Sequence, residues 1–217
     1  MEKMKILVID DAKKHLDAAI QTLVGHDVTL CSSYDEALEL LEERYDDEKR
    51  SSLIAKYREE GVKNSWSKAC SETKLPYWDV VLCDLLMPAG RDAQGSKGKQ
   101  FVGQEMPVGW SLALVAATRG AKYITVASDT NHHDHPASAM IDRIGVVNVD
   151  GAKVIFTNNI SLVGIVGSEC VCPTCNGTLR HNLRWDGKES DCTCKSGTSF
   201  SKWGKDWGKI LNQLLRE

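Results

Sequence analysis

The sequence predicts an α/β fold: a parallel sheet covered on both faces by helices. Three observations predict it. Short aliphatic runs, Lys5–Ile9, Asp27–Cys31, Asp79–Asp84 and Lys122–Ala127, alternate with segments of helical period. Lys5–Ile9, a short unbroken aliphatic run, reads as a parallel strand buried on both faces. Two of the runs end in acids, Asp10-Asp11 and Asp84, on the edge where open parallel sheets bind ligands.

Each element follows in turn. Lys5–Ile9 is the first strand. Ala12–Leu23 carries Leu16, Ala19, Ile20 and Leu23 at helical spacing, with Gly25 as its stop. Asp27–Cys31 is the second strand. Ser33–Glu43 is the second helix, with Ala37, Leu38, Leu40 and Leu41 on its apolar side. Residues 44–76 break the rhythm with dense charge and read as an insertion of one or two solvated helices. Asp79–Asp84 is the third strand. Ala89–Pro107 is a second insertion, Gly-rich and polar, long enough to be functional, and reads either as a lid over the Asp84 pocket or as a mobile surface loop. Gly109–Arg119 is an apolar helix, Lys122–Ala127 the fourth strand and Asp134–Ile144 a short helix. Gly145–Phe156 holds the fifth strand in a hairpin turned at Asp150-Gly151, and either Val146–Val149 or Lys153–Thr157 joins the main sheet. Trp203–Leu215 reads as the last helix, with Trp203, Trp207, Ile210, Leu211, Leu214 and Leu215 on one face.

Composition bounds the function. The 217 residues are 42% hydrophobic and 26% charged, the balance of a globular chain with its own core. A net charge of -3 argues against a uniformly basic nucleic-acid binder and against an acidic disordered chain. The charge is uneven: residues 1–150 carry -6 and residues 151–217 carry +3. No run reaches the roughly 18 apolar residues of a membrane span, and the start lacks a secretory pattern. The expectation is a cytoplasmic chain with reduced thiols and no membrane partner.

The acids carry the first chemistry. If the first and third strands are neighbours, Asp10, Asp11 and Asp84 converge, with Ser128 at the end of strand four. Three like charges need a cation or a proton. Mg²⁺ suits them, since it prefers oxygen ligands and retains waters and phosphate oxygens. A carboxylate beside such a metal can attack phosphorus.

Over roughly residues 3–157 the chain resembles the receiver domain of response regulators. Ile6-Leu-Val-Ile-Asp-Asp11, Asp79-Val-Val-Leu-Cys-Asp-Leu-Leu-Met-Pro88 and Ile124-Thr-Val-Ala-Ser128 carry the resemblance. It implies a flavodoxin-like, doubly wound, five-stranded parallel sheet. It further implies Asp84 as phosphoacceptor, Asp10 and Asp11 as Mg²⁺ holders with Asp84, and Ser128 as the hydroxyl that senses the phosphoryl group. Receivers also carry a lysine just after strand five. Lys153 is the candidate, although it stands ahead of a strand, and Thr157 or Asn158 stands where the lysine is expected.

Two further clusters lie outside that resemblance. Asp129-Thr-Asn-His-His-Asp-His135 follows strand four. His132, His133 and His135 offer a transition-metal or acid–base group, or else a polar loop in which Asp134 caps the next helix. Of eight cysteines, five fall between positions 170 and 194. Cys172-Pro-Thr-Cys175-Asn-Gly looks like a zinc knuckle. Cys172, Cys175, Cys192 and Cys194 are the expected Zn²⁺ thiolates, with Cys170 and His181 in reserve. The expected organisation is a receiver-like α/β domain over 1–168, a zinc-ribbon-like module over 169–200, and a C-terminal helix over 201–217 packed on the α/β domain. The expected function is a signalling protein with a phosphoacceptor aspartate, Mg²⁺, structural zinc and a protein partner, a kinase or a target. The alternatives are a metal-dependent phosphohydrolase using the Asp pocket and the His132–His135 segment, or nucleic-acid binding through the basic zinc module.

Overall fold

The computed structural model describes residues 2–75, 78–92, 95–131, 133–158, 160–165, 180–182 and 203–216. Its centre is a six-stranded sheet. The strands are β1 (Lys5–Ile9), β2 (Asp27–Cys31), β3 (Val80–Asp84), β6 (Tyr123–Ala127), β7 (Val146–Val149) and β8 (Ala152–Thr157). Their order is β2-β1-β3-β6-β8-β7. The first five in that order are parallel, and β7 closes the far edge antiparallel to β8. Both arms of the hairpin therefore join the sheet. Its turn uses positive φ at Asp150 (48°) and Gly151 (83°), the backbone of a two-residue turn whose twist matches the strands.

Both faces of the sheet are buried. On one face Leu7, Ile9, Val81, Cys83, Ile124, Val126, Val154 and Phe156 pack under three helices: α2 (Tyr34–Leu40), α5 (Gly109–Thr118) and α6 (Pro136–Ile144). On the other, Ile6, Val8, Val80, Leu82 and Ile155 pack under α1 (Lys13–Thr22) and α7 (Trp207–Arg216). Neighbouring residues of one strand thus face different helix layers, which is why Ile6–Ile9 and Val80–Cys83 are unbroken apolar runs.

The insertions are folded. Residues 44–76 include two helices, α3 (Asp47–Glu59) and α4 (Ser65–Thr73), joined through the Tyr57 hydroxyl, which donates to Glu72 at 2.7 Å. Within Ala89–Pro107 the chain folds back on itself, with β4 (Met87–Pro88) antiparallel to β5 (Glu105–Met106) around the short 3-10 turn Gly98–Phe101. The Arg91 amide donates to Asp35 at 2.8 Å and so ties this segment to α2. Among the described residues, no helix is long and apolar enough to cross a membrane.

The C-terminal part departs from expectation. Trp203–Lys205 is a strand, β11, and the helix starts only at Trp207. Strand β11 pairs with β9 (Ser161–Gly164), which also pairs with β10 (Arg180–Asn182). Asp206 supplies the reason, because its Oδ1 accepts from the Lys209 amide at 2.9 Å and caps the helix there. Gly204 supplies another, since a Cβ at that position would collide with the Lys14 carbonyl of α1. The cysteines from Cys170 to Cys194, including Cys172, Cys175 and Cys192, lie outside the described residues, and so does His132. Of His181 only the backbone, in β10, is described.

Candidate functional site

Parallel strands present their C-terminal ends together, and the register brings the acids to one place. Ile9 pairs with Cys83 across β1 and β3, so Asp10 and Asp84 follow side by side. Carboxylate oxygens of Asp10, Asp11 and Asp84 all lie within 4.8 Å of one another. Asp10 is fully buried and Asp84 nearly so, whereas Asp11 is exposed. Backbone amides hold the two buried groups: Ala12 donates to Asp10 Oδ1 at 3.0 Å, and Leu85 donates to Asp84 Oδ1 at 2.8 Å.

The fully buried side chain of Lys205 enters between them. Its Nζ donates to Asp84 Oδ1 at 2.6 Å and to Asp10 Oδ2 at 2.8 Å, with Asp129 Oδ1 at 3.8 Å. Burial would lower the pKa of this ammonium. The charges of Asp10, Asp84 and Asp129 outweigh burial and raise it. The lysine is therefore the resident cation of the pocket. It answers part of the like-charge problem that three converging acids pose.

Asp84 responds the other way. Burial pushes its carboxyl up to about 7, with Asp10 adding to the rise and Lys205 opposing it. Asp11, although exposed at its surface, is also raised, by partial desolvation of its carboxyl and then by Asp10, against the charge of Lys205. Asp129 is held well below the ordinary carboxylate range. Burial works against this, but the hydrogen bond from His15 and the ammonium groups of Lys205 and Lys14 prevail.

The remaining predicted residues are placed as follows. Ser128 is buried at the end of β6, its Oγ accepting from the Thr130 amide at 3.1 Å and lying 3.1 Å from the Ser138 hydroxyl. Lys153 is not in the pocket. It pairs with Tyr123 at the start of β6, whereas Ala127 and Thr157 mark the pocket end. Four residues of strand separate the two ends, about 13 Å. His133 is exposed. His135 caps α6, its Nδ1 accepting from the Ala137 amide at 3.1 Å. The cap is thus His135 and not Asp134, because Pro136 occupies the first helical position. Among the described residues, the group able to hold a metal is Asp10, Asp11 and Asp84, without a histidine.

Sequence reasoning missed Lys205 and its support. The signal was present in Gly204-Lys205-Asp206-Trp207: a glycine, then a lysine, then a helix-capping aspartate before the last amphipathic helix. That is the order expected of a site residue at the end of a strand. It was hidden because the strand pairs with β9 in a small separate sheet.

The donor set suits a hard divalent cation. Three carboxylates that converge within 4.8 Å are the oxygen donors that Mg²⁺ prefers. Binding requires Asp84 ionised, so protons and metal compete. The expected result is a Mg²⁺ affinity that is constant above about pH 8 and weakens as pH falls through about 7, by up to ~10-fold per pH unit. Calorimetric titration across that range checks it, and an affinity flat down to pH 5 would contradict it.

No protein-family model matches the sequence, and no curated protein matches it. Two solved structures match part of the chain at low similarity, both of the receiver domain of the histidine kinase CKI1 from Arabidopsis thaliana. One is of a single-substitution mutant: it is 17% identical, with a TM-score of 0.34, over 70% of this chain and 78% of that one. The other, complexed with Mg²⁺ and BeF₃⁻, is 18% identical, with a TM-score of 0.32, over 70% of this chain and 79% of that one. The α/β architecture with its mostly parallel central sheet stands on the strand order observed here.

Proposed function

We propose that this chain is a phosphate-accepting signalling protein of the receiver type, with Asp84 as the accepting residue. The observation that carries the reading is the Lys205 ammonium, 2.6 Å from Asp84 inside a three-carboxylate pocket at the C-terminal ends of parallel strands. Receivers place a lysine there, just after strand five. Here β8 ends in Thr157-Asn158, and β11 supplies the lysine instead.

Asp10, Asp11 and Asp84 would hold Mg²⁺, which when bound offsets the negative charge of the incoming phosphoryl oxygens. Asp84 Oδ1 is occupied by Leu85 and Lys205, leaving Oδ2 for the attack. That oxygen forms a bond to phosphorus while the donor's phosphorus–leaving-group bond breaks, and the leaving group keeps the electron pair. Lys205 then turns from the carboxylate toward a phosphoryl oxygen, and the Ser128 hydroxyl meets another. A protein phosphodonor is the expected partner. Mg²⁺-dependent labelling of Asp84 by a small acyl phosphate tests the reading.

The zinc reading belongs to the same proposal. Cys172 and Cys175 fall between β9 and β10, and Cys192 and Cys194 between β10 and β11. Four thiolates would close a structural tetrahedral site in a segment that ends just ahead of Lys205. Elemental analysis of freshly purified protein should return one zinc per chain. A chain free of zinc would contradict the site.

A further inference from the structure

His15 lies on α1, 2% exposed, and the chemistry proposed above does not use it. Three fixed groups surround it. Its Nδ1 accepts from the Lys205 backbone amide at 2.9 Å. Its Nε2 is 3.1 Å from Asp129 Oδ2. Its own carbonyl accepts from Trp207 Nε1 at 3.0 Å. A backbone N–H can only donate, so Nδ1 must carry a lone pair. The ring proton then sits on Nε2 and donates to the Asp129 carboxylate. Asp129 in turn presents its other oxygen, Oδ1, to Lys205 Nζ at 3.8 Å.

We infer that His15 is the positioning residue for Lys205. One neutral imidazole fixes the backbone of the lysine through Nδ1 and, through Nε2 and Asp129, orients a carboxylate against its ammonium. The lysine needs such support. It arrives on a three-residue strand 195 positions after Asp10, not on a central strand of the main sheet. A buried ring with two directional bonds removes rotational freedom that a shape-filling side chain would leave. The inference rests on the proposed role of Lys205 in phosphoryl transfer, but its geometry can be tested without transfer.

The two conservative amides divide the roles of the ring. In His15→Asn the side-chain oxygen stands near the position of Nδ1, so the Lys205 amide keeps an acceptor. In His15→Gln the terminal amide reaches toward Asp129, and the Lys205 amide loses its acceptor. With acetyl phosphate as donor at saturating Mg²⁺, His15→Gln should slow labelling of Asp84 by about three- to tenfold, the worth of one hydrogen bond, and His15→Asn by less. The Mg²⁺ dissociation constant should stay unchanged in both, because no metal-holding residue is altered. Wild-type rates in both variants would overturn the inference. So would a parallel loss of rate, Mg²⁺ affinity and melting temperature, which is the pattern of a purely structural residue.

Nitrogen-15 NMR of the wild-type imidazole gives the separate arm. Protonated Nε2 with bare Nδ1 near pH 7 is expected; the opposite tautomer or a doubly protonated ring would overturn the inference. If acetyl phosphate fails to label the wild type, the proposed function fails. The tautomer, with hydrogen exchange at the Lys205 amide slow in wild type and faster in His15→Gln, still decides the positioning role.

Discussion

Replacing Lys205 by Met is expected to destabilise the protein by about 3–5 kcal/mol at pH 8. The cause is what remains behind. Asp10 is fully buried and Asp84 is 6% exposed, and the ammonium between them is their shared counter-ion. Without it, two carboxylates stand in a water-poor site with no cation. The site can relieve the strain only by taking up a proton, and Asp84, already raised by burial, rises further in the variant. A carboxyl whose folded pKa is raised weakens the fold above that pKa. The penalty fades as pH falls toward the unfolded value near 4. The stability gap between Lys205→Met and wild type should therefore shrink steadily from pH 8 to pH 5 in urea denaturation. Asp84→Asn should behave oppositely. Burial already costs the Asp84 charge more than its surroundings return, and Lys205 keeps Asp10. Its stability at pH 8 should equal or exceed that of wild type. A Lys205→Met protein as stable as wild type would mean that the ammonium is not the counter-ion of the pocket.

Trp207→Ala is the second large effect, with an expected loss of about 3–5 kcal/mol. Trp207 is fully buried on the face shared by α1 and the sheet, and its indole N–H holds the His15 carbonyl. Truncation leaves a large cavity and an unpaired buried carbonyl. Trp207→Phe keeps most of the packing and loses the hydrogen bond, so about 1–2 kcal/mol is expected there. Because Trp207 stands two residues beyond Lys205, the Ala variant should also lose pocket function in excess of its unfolded fraction. Denaturation curves paired with Mg²⁺ titrations of the same samples check both statements. Equal stability of the Ala variant and wild type would contradict the docking of α7 on α1.

The strands and the acids were legible for one physical reason. A strand buried on both faces writes its burial into every residue, and Lys5–Ile9 or Val80–Asp84 has no other reading at that length. Once the strands are parallel, their C-terminal residues must share an edge, so the convergence of Asp10, Asp11 and Asp84 follows. The hairpin after α6 was ambiguous because both Val146–Val149 and Ala152–Thr157 pattern as strands. The observed answer, one arm inside and one at the edge, appears in the burial: β8 is mostly buried and β7 alternates with exposed residues.

The misses have physical causes as well. Trp203 and Trp207 are four apart, the spacing of one helix face, so the period ran through Asp206 even though Asp206 is the cap. His135 and Asp134 are both able to cap a helix, and only Pro136 at the first helical position makes the residue immediately before it the cap. Lys205 was the hardest. Nothing local marks a lysine as buried, and its partners Asp10 and Asp84 lie 195 and 121 residues away. The nearer candidate, Lys153, sits at the wrong end of its strand, a distinction of direction that residue type alone does not reveal.

The most direct test of the central claim is the mass of the chain after incubation with acetyl phosphate. With Mg²⁺ present, wild type should gain one phosphoryl group. The label should be lost in alkaline hydroxylamine, as an acyl phosphate is, and peptide mapping should place it on Asp84. The gain should vanish with chelator and in Asp84→Ala, and should fall sharply in Lys205→Met assayed where that variant remains folded. A wild-type chain that binds Mg²⁺ at millimolar concentration yet takes no label, or one labelled equally in Asp84→Ala, would contradict the account.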